Sequence, residues 1–385
     1  MNLIFLTHPE FLALNSMDKY SAMLSEGMKK RGHQVQTWTA KPRFFNLIQR
    51  GAFKKWLGYI DQYIIFPIEL HKHVKACPAN TLFIFTDHAL GPWVPTLAKR
   101  LHVIHCHDFL AQFSAMGQQP ANPVSWTGKL YQSFIRRGFT KGENFICVSK
   151  KTNADLQRFL KSPHSHVVYN GLHTLFTPLD PFITRKELSK KTGVDLSAGY
   201  ILHVGGNQWY KNRKGVIEIY NAWRNNSRIK VPLLLIGKAP SAELFKKYKD
   251  SEFKKDIYFI EDADDQFVQM AYSGASLFLF PSLMEGFGWP IAEAMACGSL
   301  VMTTNAPPMS EVAGSAAFFI QPIMDNTNRQ SWAEDAAKII NKIFALSSVE
   351  RQSAVRAGIK NAERFSLKSA LNQVEIIYKN IVERK

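Results

Sequence analysis

The sequence predicts an α/β fold with two doubly wound parallel-sheet domains. Three observations carry this. Short apolar runs alternate with helix-like segments along the chain, the pattern of strands covered on both faces by helices. Residues 276–314, SLFLFPSLMEGFGWPIAEAMACGSLVMTTNAPPMSEVAG, read as strand, glycine loop, helix and strand. The length, 385 residues, suits two cores of ordinary size better than one.

Residues 276–314 organise the rest. The apolar run 276–280 ends at Pro281 and suits a buried parallel strand. A loop with Gly286, Phe287 and Gly288 follows, and Pro290 favours the first turn of a helix over 291–297, closed by Gly298. The run 300–303 resumes the sheet. The loop and helix start therefore lie at a strand's carboxyl end, where open α/β sheets bind ligands. Glu285 sits in the loop and Glu293 eight residues later in the helix. The glycines leave backbone N–H groups open to a ligand, and a helix N-terminus favours phosphate. Glu293 can accept hydrogen bonds from vicinal hydroxyls such as those of ribose, and Glu285 can hold a sugar. Read without context, both glutamates equally suit capping or lining the loop.

The segment PSLMEGFGWPIAEAMACG resembles the E-x7-E signature of retaining glycosyltransferases of family 4 (group 1). The resemblance implies a GT-B type fold, two facing Rossmann-like domains with a deep interdomain cleft. It implies that Glu285 contacts the donor sugar and Glu293 the nucleotide ribose, with Gly286, Phe287 and Gly288 at the nucleotide.

Composition bounds the alternatives. Hydrophobic residues at 46% and aromatics at 12% are ample for two cores. The four cysteines, Cys77, Cys106, Cys147 and Cys297, form no C-x-x-C pair, the usage of a reducing compartment without a disulfide frame or zinc pattern. The N-terminal MNLIFLTHPEF lacks a basic region and reads as a first strand instead of a signal peptide. No apolar run approaches a membrane span. A cytoplasmic protein is expected, with the inner face of the plasma membrane as a possible peripheral site. The net charge of +17 is uneven: residues 1–180 carry 21 Lys+Arg against 10 Asp+Glu, and 181–385 carry 27 against 21. Such an excess suits anionic lipid, a phosphorylated acceptor or nucleic acid.

In chain order, 3–6 is a first strand, and the loop 7–16 leads to a helix with Tyr20, Met23, Leu24 and Met28 on one face. Gly32 ends it and 33–38 is a second strand, similar to the family's opening unit. Where relatives often carry paired glycines this chain has Asn15-Ser16-Met17-Asp18. Residues 44–76 are basic and aromatic, with Lys54 and Lys55 beside Phe53, Trp56 and Tyr59, the composition of an interfacial helix or of an ordinary amphipathic one. His71 and His73, two apart on a helix, do not share a face and argue against a metal site with Cys77. Strand 82–85 ends in Thr86-Asp87-His88, and strand 102–106 ends in His107-Asp108. An imidazole at a strand end can bind hydroxyls or polarise an oxygen. IHCHD resembles the family's strand-end histidine, which implies that His107 contacts the donor sugar, with Asp108 beside it. Strand 145–148, the helix opened by Ser149 and the Asn170-Gly171 turn are similar to the family's end of the first domain. Pro178, Asp180 and Pro181 mark a linker, so the domains are expected at 1–180 and 181–364.

The second domain opens with YILHVGG and a loop of clustered cations before a helix from Val216. Gly205 and Gly206 followed by cations suit a diphosphate, whose charge guanidinium and ammonium groups neutralise. The RKG of Arg213-Lys214-Gly215 matches the family's arginine and lysine at this turn, implying that both stabilise the leaving diphosphate; an arginine found earlier in some relatives falls near Gln208, with Lys211 as a substitute. Strands are expected at 232–236 and 257–260. Asp262-x-Asp264 formally matches a D-x-D metal motif, but Asp264 and Asp265 more simply cap the next helix. In the family that loop, here Asp262, packs against the nucleotide base and no metal is used. Helices are expected at 332–346 and 348–363, and a last one from 367; residues 365–385 in relatives cross back onto the first domain.

The expected function is transfer of a sugar from a nucleotide-sugar donor to an acceptor hydroxyl with retention, without metal or other cofactor, in bacterial-type cell-surface glycan synthesis. The acceptor expected is a saccharide or lipid-linked glycan, an anionic membrane surface is a possible partner, and nucleic acid is not expected. Two rivals are a GT-B-like sugar-nucleotide epimerase or hydrolase, and a non-enzymatic basic protein binding nucleic acid or membrane.

Overall fold

The computed structural model describes residues 1–12, 15–323 and 328–384. Two compact units divide the chain, Met1–Tyr169 with Lys368–Lys385, and Asn170–Leu367. The expected linker therefore falls inside the second unit, where Asp180 accepts from the amides of Phe182 and Ile183 and opens the helix Pro181–Thr192.

The first unit is one parallel sheet of six strands, β1 Asn2–Leu6, β2 Gln34–Trp38, β3 Leu82–Phe85, β4 His102–Cys106, β5 Asn144–Cys147 and β6 His164–Val167, in the order 2-1-3-4-5-6. The second has β7 Ile201–Val204, β8 Leu233–Ile236, β9 Ile257–Ile260, β10 Leu277–Phe280, β11 Val301–Thr304 and β12 Phe318–Ile320, in the order 12-11-10-7-8-9. All pairings are parallel. Strands β3, β4, β8, β10 and β11 are buried along their whole length, and in β3, β8 and β10 this goes with an unbroken apolar sequence.

The strand orders place the sites. Chain direction across the sheet reverses between β1 and β3 in the first unit and between β7 and β10 in the second. At such a switch point the two following loops diverge and leave a crevice at the carboxyl ends. The loops after β7 and β10 are the ones singled out by Gly205–Lys214 and Glu285–Glu293.

Asn15 and Ser16, expected in the loop 7–16, lie in the first turn of the helix Asn15–Lys30 together with Met17 and Asp18. The last helix, Leu367–Glu383, is anchored within the first unit through Tyr378. Buried His105 of β4 bridges two phenols: Tyr20 lies 2.8 Å from its Nδ1 and Tyr378 2.8 Å from its Nε2. Burial pushes this imidazole down to about 3, so it stays neutral.

Candidate active site

The Glu285 loop begins where β10 ends. Ser282 turns its hydroxyl to the Tyr210 carbonyl at 2.8 Å and to Glu285 Oε1 at 2.7 Å, and Leu283 N donates to the Tyr210 carbonyl at 2.7 Å. These bonds tie the loop after β10 to the loop after β7. Lys211, from the second loop, places Nζ 2.8 and 3.0 Å from the two Glu285 oxygens. Both side chains are mostly buried, 14% and 8% exposed.

Gly288 has φ 103°, a conformation that costs a side chain dearly and that glycine adopts freely. It precedes the helix Trp289–Ala296, which starts two residues earlier than the sequence predicts, with Pro290 in its first turn. Phe287 is buried and meets Phe365 edge-on at 5.3 Å, which fixes the turn between Gly286 and Gly288. Glu293 lies one turn into the helix and accepts from Tyr272 Oη at 3.1 Å. Burial, followed by the charge of Glu293, holds the Tyr272 phenol well above its usual value, so it remains a donor.

Beyond β7 the backbone of Gly205 passes so close to that of Gly237 that a Cβ on Gly237 would strike the Gly205 carbonyl. Gly205 N is spent on the Ile236 carbonyl at 2.9 Å, and Gly206 carries the chain on towards Gln208. Asn212, at φ 51°, caps the helix Arg213–Asn225 by accepting from Gly215 N at 3.2 Å. Arg213 is then turned inward and only 4% exposed. Its Nη1 donates to Asn207 Oδ1 at 2.6 Å and to the Lys238 carbonyl at 2.9 Å, whereas Nε and Nη2 are buried without a hydrogen-bond partner among the described residues. Two orphaned nitrogens on one guanidinium are costly, and an anion would satisfy them. Burial lowers the group to about 10, so it is still charged at neutral pH.

Lys214, its neighbour, faces the other way. It is half exposed and pairs with Glu243 of the helix Ala242–Lys249 at 2.8 Å. The structure thus brings Lys211 to Glu285 and buries Arg213, while Lys214 stands at the surface. Asp262 is exposed with φ 52°, and Asp264 caps the helix Asp265–Gly274 through Phe267 N at 2.7 Å. Among the described residues no three His, Cys, Asp or Glu side chains group to hold a metal ion.

In the first unit His107 is buried at the end of β4. Its Nε2–H donates to the Thr86 carbonyl at 2.8 Å, and Tyr20 packs edge-on against the ring at 4.4 Å. Burial lowers its pKa, so the neutral ring leaves Nδ1 as an acceptor. Asp108 accepts from Leu110 N at 2.9 Å and shapes the turn after the strand. Sequence reasoning did not join His8 to Asp87: His8 Nε2 donates to Asp87 Oδ2 at 2.9 Å across the β1–β3 switch point. His88 Nδ1 is 2.9 Å from the other oxygen, an ion-pair contact. Burial raises the Asp87 carboxyl, but His88 and His8 outweigh it and hold it well below the usual carboxylate range.

Two doubly wound parallel sheets define a GT-B glycosyltransferase fold. Residues 184–356 match the family described as Glycosyl transferases group 1, and residues 17–174 match Glycosyltransferase Family 4. The chain belongs to this group 1 / family 4 class of glycosyltransferases. It is similar to O-antigen chain mannosyltransferase B of Escherichia coli, 27% identical over 192 residues, 47% of this chain and 46% of that protein. O-antigen chain mannosyltransferase RfbU of Salmonella typhimurium is 25% identical over 225 residues, covering 57% and 58%. The chain thus spans about half the length of the curated relatives it matches. Sucrose-phosphate synthase from Thermosynechococcus elongatus shares the fold with a TM-score of 0.75 over 100% of both chains at 16% identity. Anabaena HepE, solved in complex with UDP, does so at 0.72 over 99% and 100%, also at 16% identity.

Proposed function

We propose that this glycosyltransferase moves a sugar from a nucleotide-diphosphate donor to an acceptor hydroxyl with retained anomeric configuration, in bacterial cell-surface glycan synthesis. The observation that carries the reading is Arg213, a buried guanidinium with two nitrogens lacking hydrogen-bond partners on the loop that opens the second unit's switch point. An arginine kept charged and unsatisfied there is preorganised for the diphosphate. The donor pyrophosphate takes the free N–H groups of Arg213 and the charge of Lys211. Glu293, oriented by Tyr272, accepts from the ribose hydroxyls, and Glu285 accepts from the donor sugar. In the transfer the bond from the anomeric carbon to the β-phosphate oxygen breaks. The acceptor oxygen bonds to that carbon on the same face, and its proton leaves on the departing diphosphate. His107 Nδ1 serves in the first unit as an acceptor for a sugar hydroxyl. No metal or other cofactor enters this scheme.

The mannosyltransferase names among the relatives make a mannosyl nucleotide the first donor to try, with a saccharide or lipid-linked glycan as acceptor. No helix among the described residues is long and apolar enough to cross a membrane; residence in the cytoplasm, with peripheral attachment to the inner face of the plasma membrane, is part of the proposal. The test is thermal stabilisation by UDP- and GDP-sugars and by the free diphosphates, because a ligand bound to the native state raises the melting point by mass action. One nucleotide class should shift the transition and Arg213→Ala should abolish the shift. Product from a labelled donor, analysed by NMR, should retain the anomeric configuration. Donor turnover that is indifferent to any saccharide acceptor would favour an epimerase or hydrolase instead.

A further inference from the structure

Two segments far apart in sequence meet on one side of the first unit. The helix Ala52–Ile60 runs through a π-helical turn, Asp61–Ile65, into the helix Phe66–Lys75. The helix Trp126–Phe139 packs beside it: Tyr59 stacks on Tyr131 at 5.3 Å, and the Tyr63 and Tyr131 hydroxyls are 2.6 Å apart. These tyrosines form the seam. On either side of it the largest apolar side chains point to solvent.

Phe53 is 74% exposed and Trp126 72%, with Trp56, Ile64, Leu130 and Phe134 also exposed. Trp126, Leu130 and Phe134 recur every four residues and form one ridge. A helix folding only against its own domain turns such a ridge inward. Exposed clusters of large apolar residues on one face mark an interaction surface.

The charge around this surface selects the partner. Between 109 and 142 there is no Asp or Glu, and between 44 and 68 Asp61 alone, while Arg50, Lys54, Lys55, Lys129, Arg137 and Lys141 lie in the same stretches. Asp61 is buried, with its two oxygens accepting from Phe44 N and Phe45 N at 2.9 Å each, so it adds no negative charge to the surface. Lys54 lies over the Phe45 ring at 4.3 Å and Lys55 over Tyr59 at 5.7 Å, cations seated at the borders of aromatic faces. Protein–protein interfaces are depleted in lysine at their centres. Aromatic and aliphatic side chains interleaved with lysines, without carboxylates, suit the headgroup layer of an anionic bilayer.

We propose that the paired face of the helices Ala52–Ile60 and Trp126–Phe139 docks this enzyme on anionic phospholipid, with the aromatic residues in the headgroup–acyl boundary and the lysines on phosphate. The surface stands on its own observations and does not depend on the donor site assigned above.

The test is cosedimentation of the full chain with phosphatidylcholine vesicles with and without phosphatidylglycerol, at low and high salt. Wild type should partition onto the acidic vesicles alone and be released by salt. Lys55→Ala and Lys129→Ala should each weaken partitioning by roughly fivefold, and Trp56→Ser or Trp126→Ser by about tenfold or more. Phe182→Ser, at an equally exposed aromatic of the second unit, should change nothing. Thermal melts confirm that the variants fold, and their nucleotide-induced shifts should match wild type, which keeps this test separate from that of the donor site. Absence of binding to acidic vesicles at low salt overturns the proposal. So does a concentration-dependent dimer that Trp126→Ser dissolves, since the face would then cover a second copy of the chain.

Discussion

Lys211 Nζ lies within 3.0 Å of both carboxylate oxygens of Glu285, so the glutamate proposed to hold the donor sugar is already held by a cation from the adjacent loop. The pair joins residues 74 apart in sequence through the adjacency of β7 and β10. Because both groups are mostly buried, removing one strands the other's charge, which costs about 3 kcal/mol. Lys211→Ala should therefore destabilise the ligand-free second unit by about that amount in urea unfolding. Lys211→Met combined with Glu285→Gln should recover part of the loss. Strict additivity in the double-mutant cycle would mean that the two charges do not interact.

Arg213 and Lys214 are neighbours with opposite expected effects. Arg213→Lys keeps the charge but loses the forked N–H groups now without partners, so affinity for the nucleoside diphosphate should fall roughly 100-fold by calorimetry. Lys214→Ala removes an exposed ion pair and should leave affinity within about twofold. A large loss in Lys214→Ala with little in Arg213→Lys would reverse the roles.

That contrast shows how far residue order reaches. The motif RKG announces charge at a helix start, but successive helix residues are about 100° apart around the axis, so the motif cannot say which cation faces the ligand. The E-x7-E turn is readable because its determinants are local: Pro281 ends the strand, Gly288 takes the left-handed turn, and Pro290 starts the helix. Buried strands such as β8, with the sequence LLLI, are readable as apolar runs, whereas β6, with the sequence HSHV, is an edge strand with two exposed histidines and carries no such signal. Pairings such as His8 with Asp87, or Tyr59 with Tyr131, depend on strand order and helix packing. No short window of sequence contains them.

Tyr272 and Glu293 form a donor–acceptor pair at 3.1 Å that orients the carboxylate proposed for ribose. Tyr272→Phe removes one hydrogen bond to a charged group, worth about 1.5 kcal/mol. The expected result is a donor KM raised about tenfold with kcat nearly unchanged, because ribose contacts are the same in ground and transition states. An equal fall in kcat would place the tyrosine nearer the chemistry.

His203 on β7 gives the pH dependence. Its Nδ1–H donates to the Leu279 carbonyl at 3.0 Å, its Nε2 is buried without a hydrogen-bond partner among the described residues, and burial lowers its pKa to about 3. The unfolded chain, with an ordinary histidine near 6.5, then binds the proton first as pH falls. Stability contributed by the neutral ring is full above pH 6.5 and declines below it, by roughly 1.4 kcal/mol per pH unit until the folded-state value near 3 is reached. His203→Asn keeps a donor for Leu279 and has nothing to protonate. Unfolding free energies between pH 7.5 and 5 should therefore fall less steeply in this variant than in wild type, by roughly one proton per molecule. Parallel slopes in the two proteins would show that His203 titrates alike in the folded and unfolded chain, and that burial does not hold it neutral.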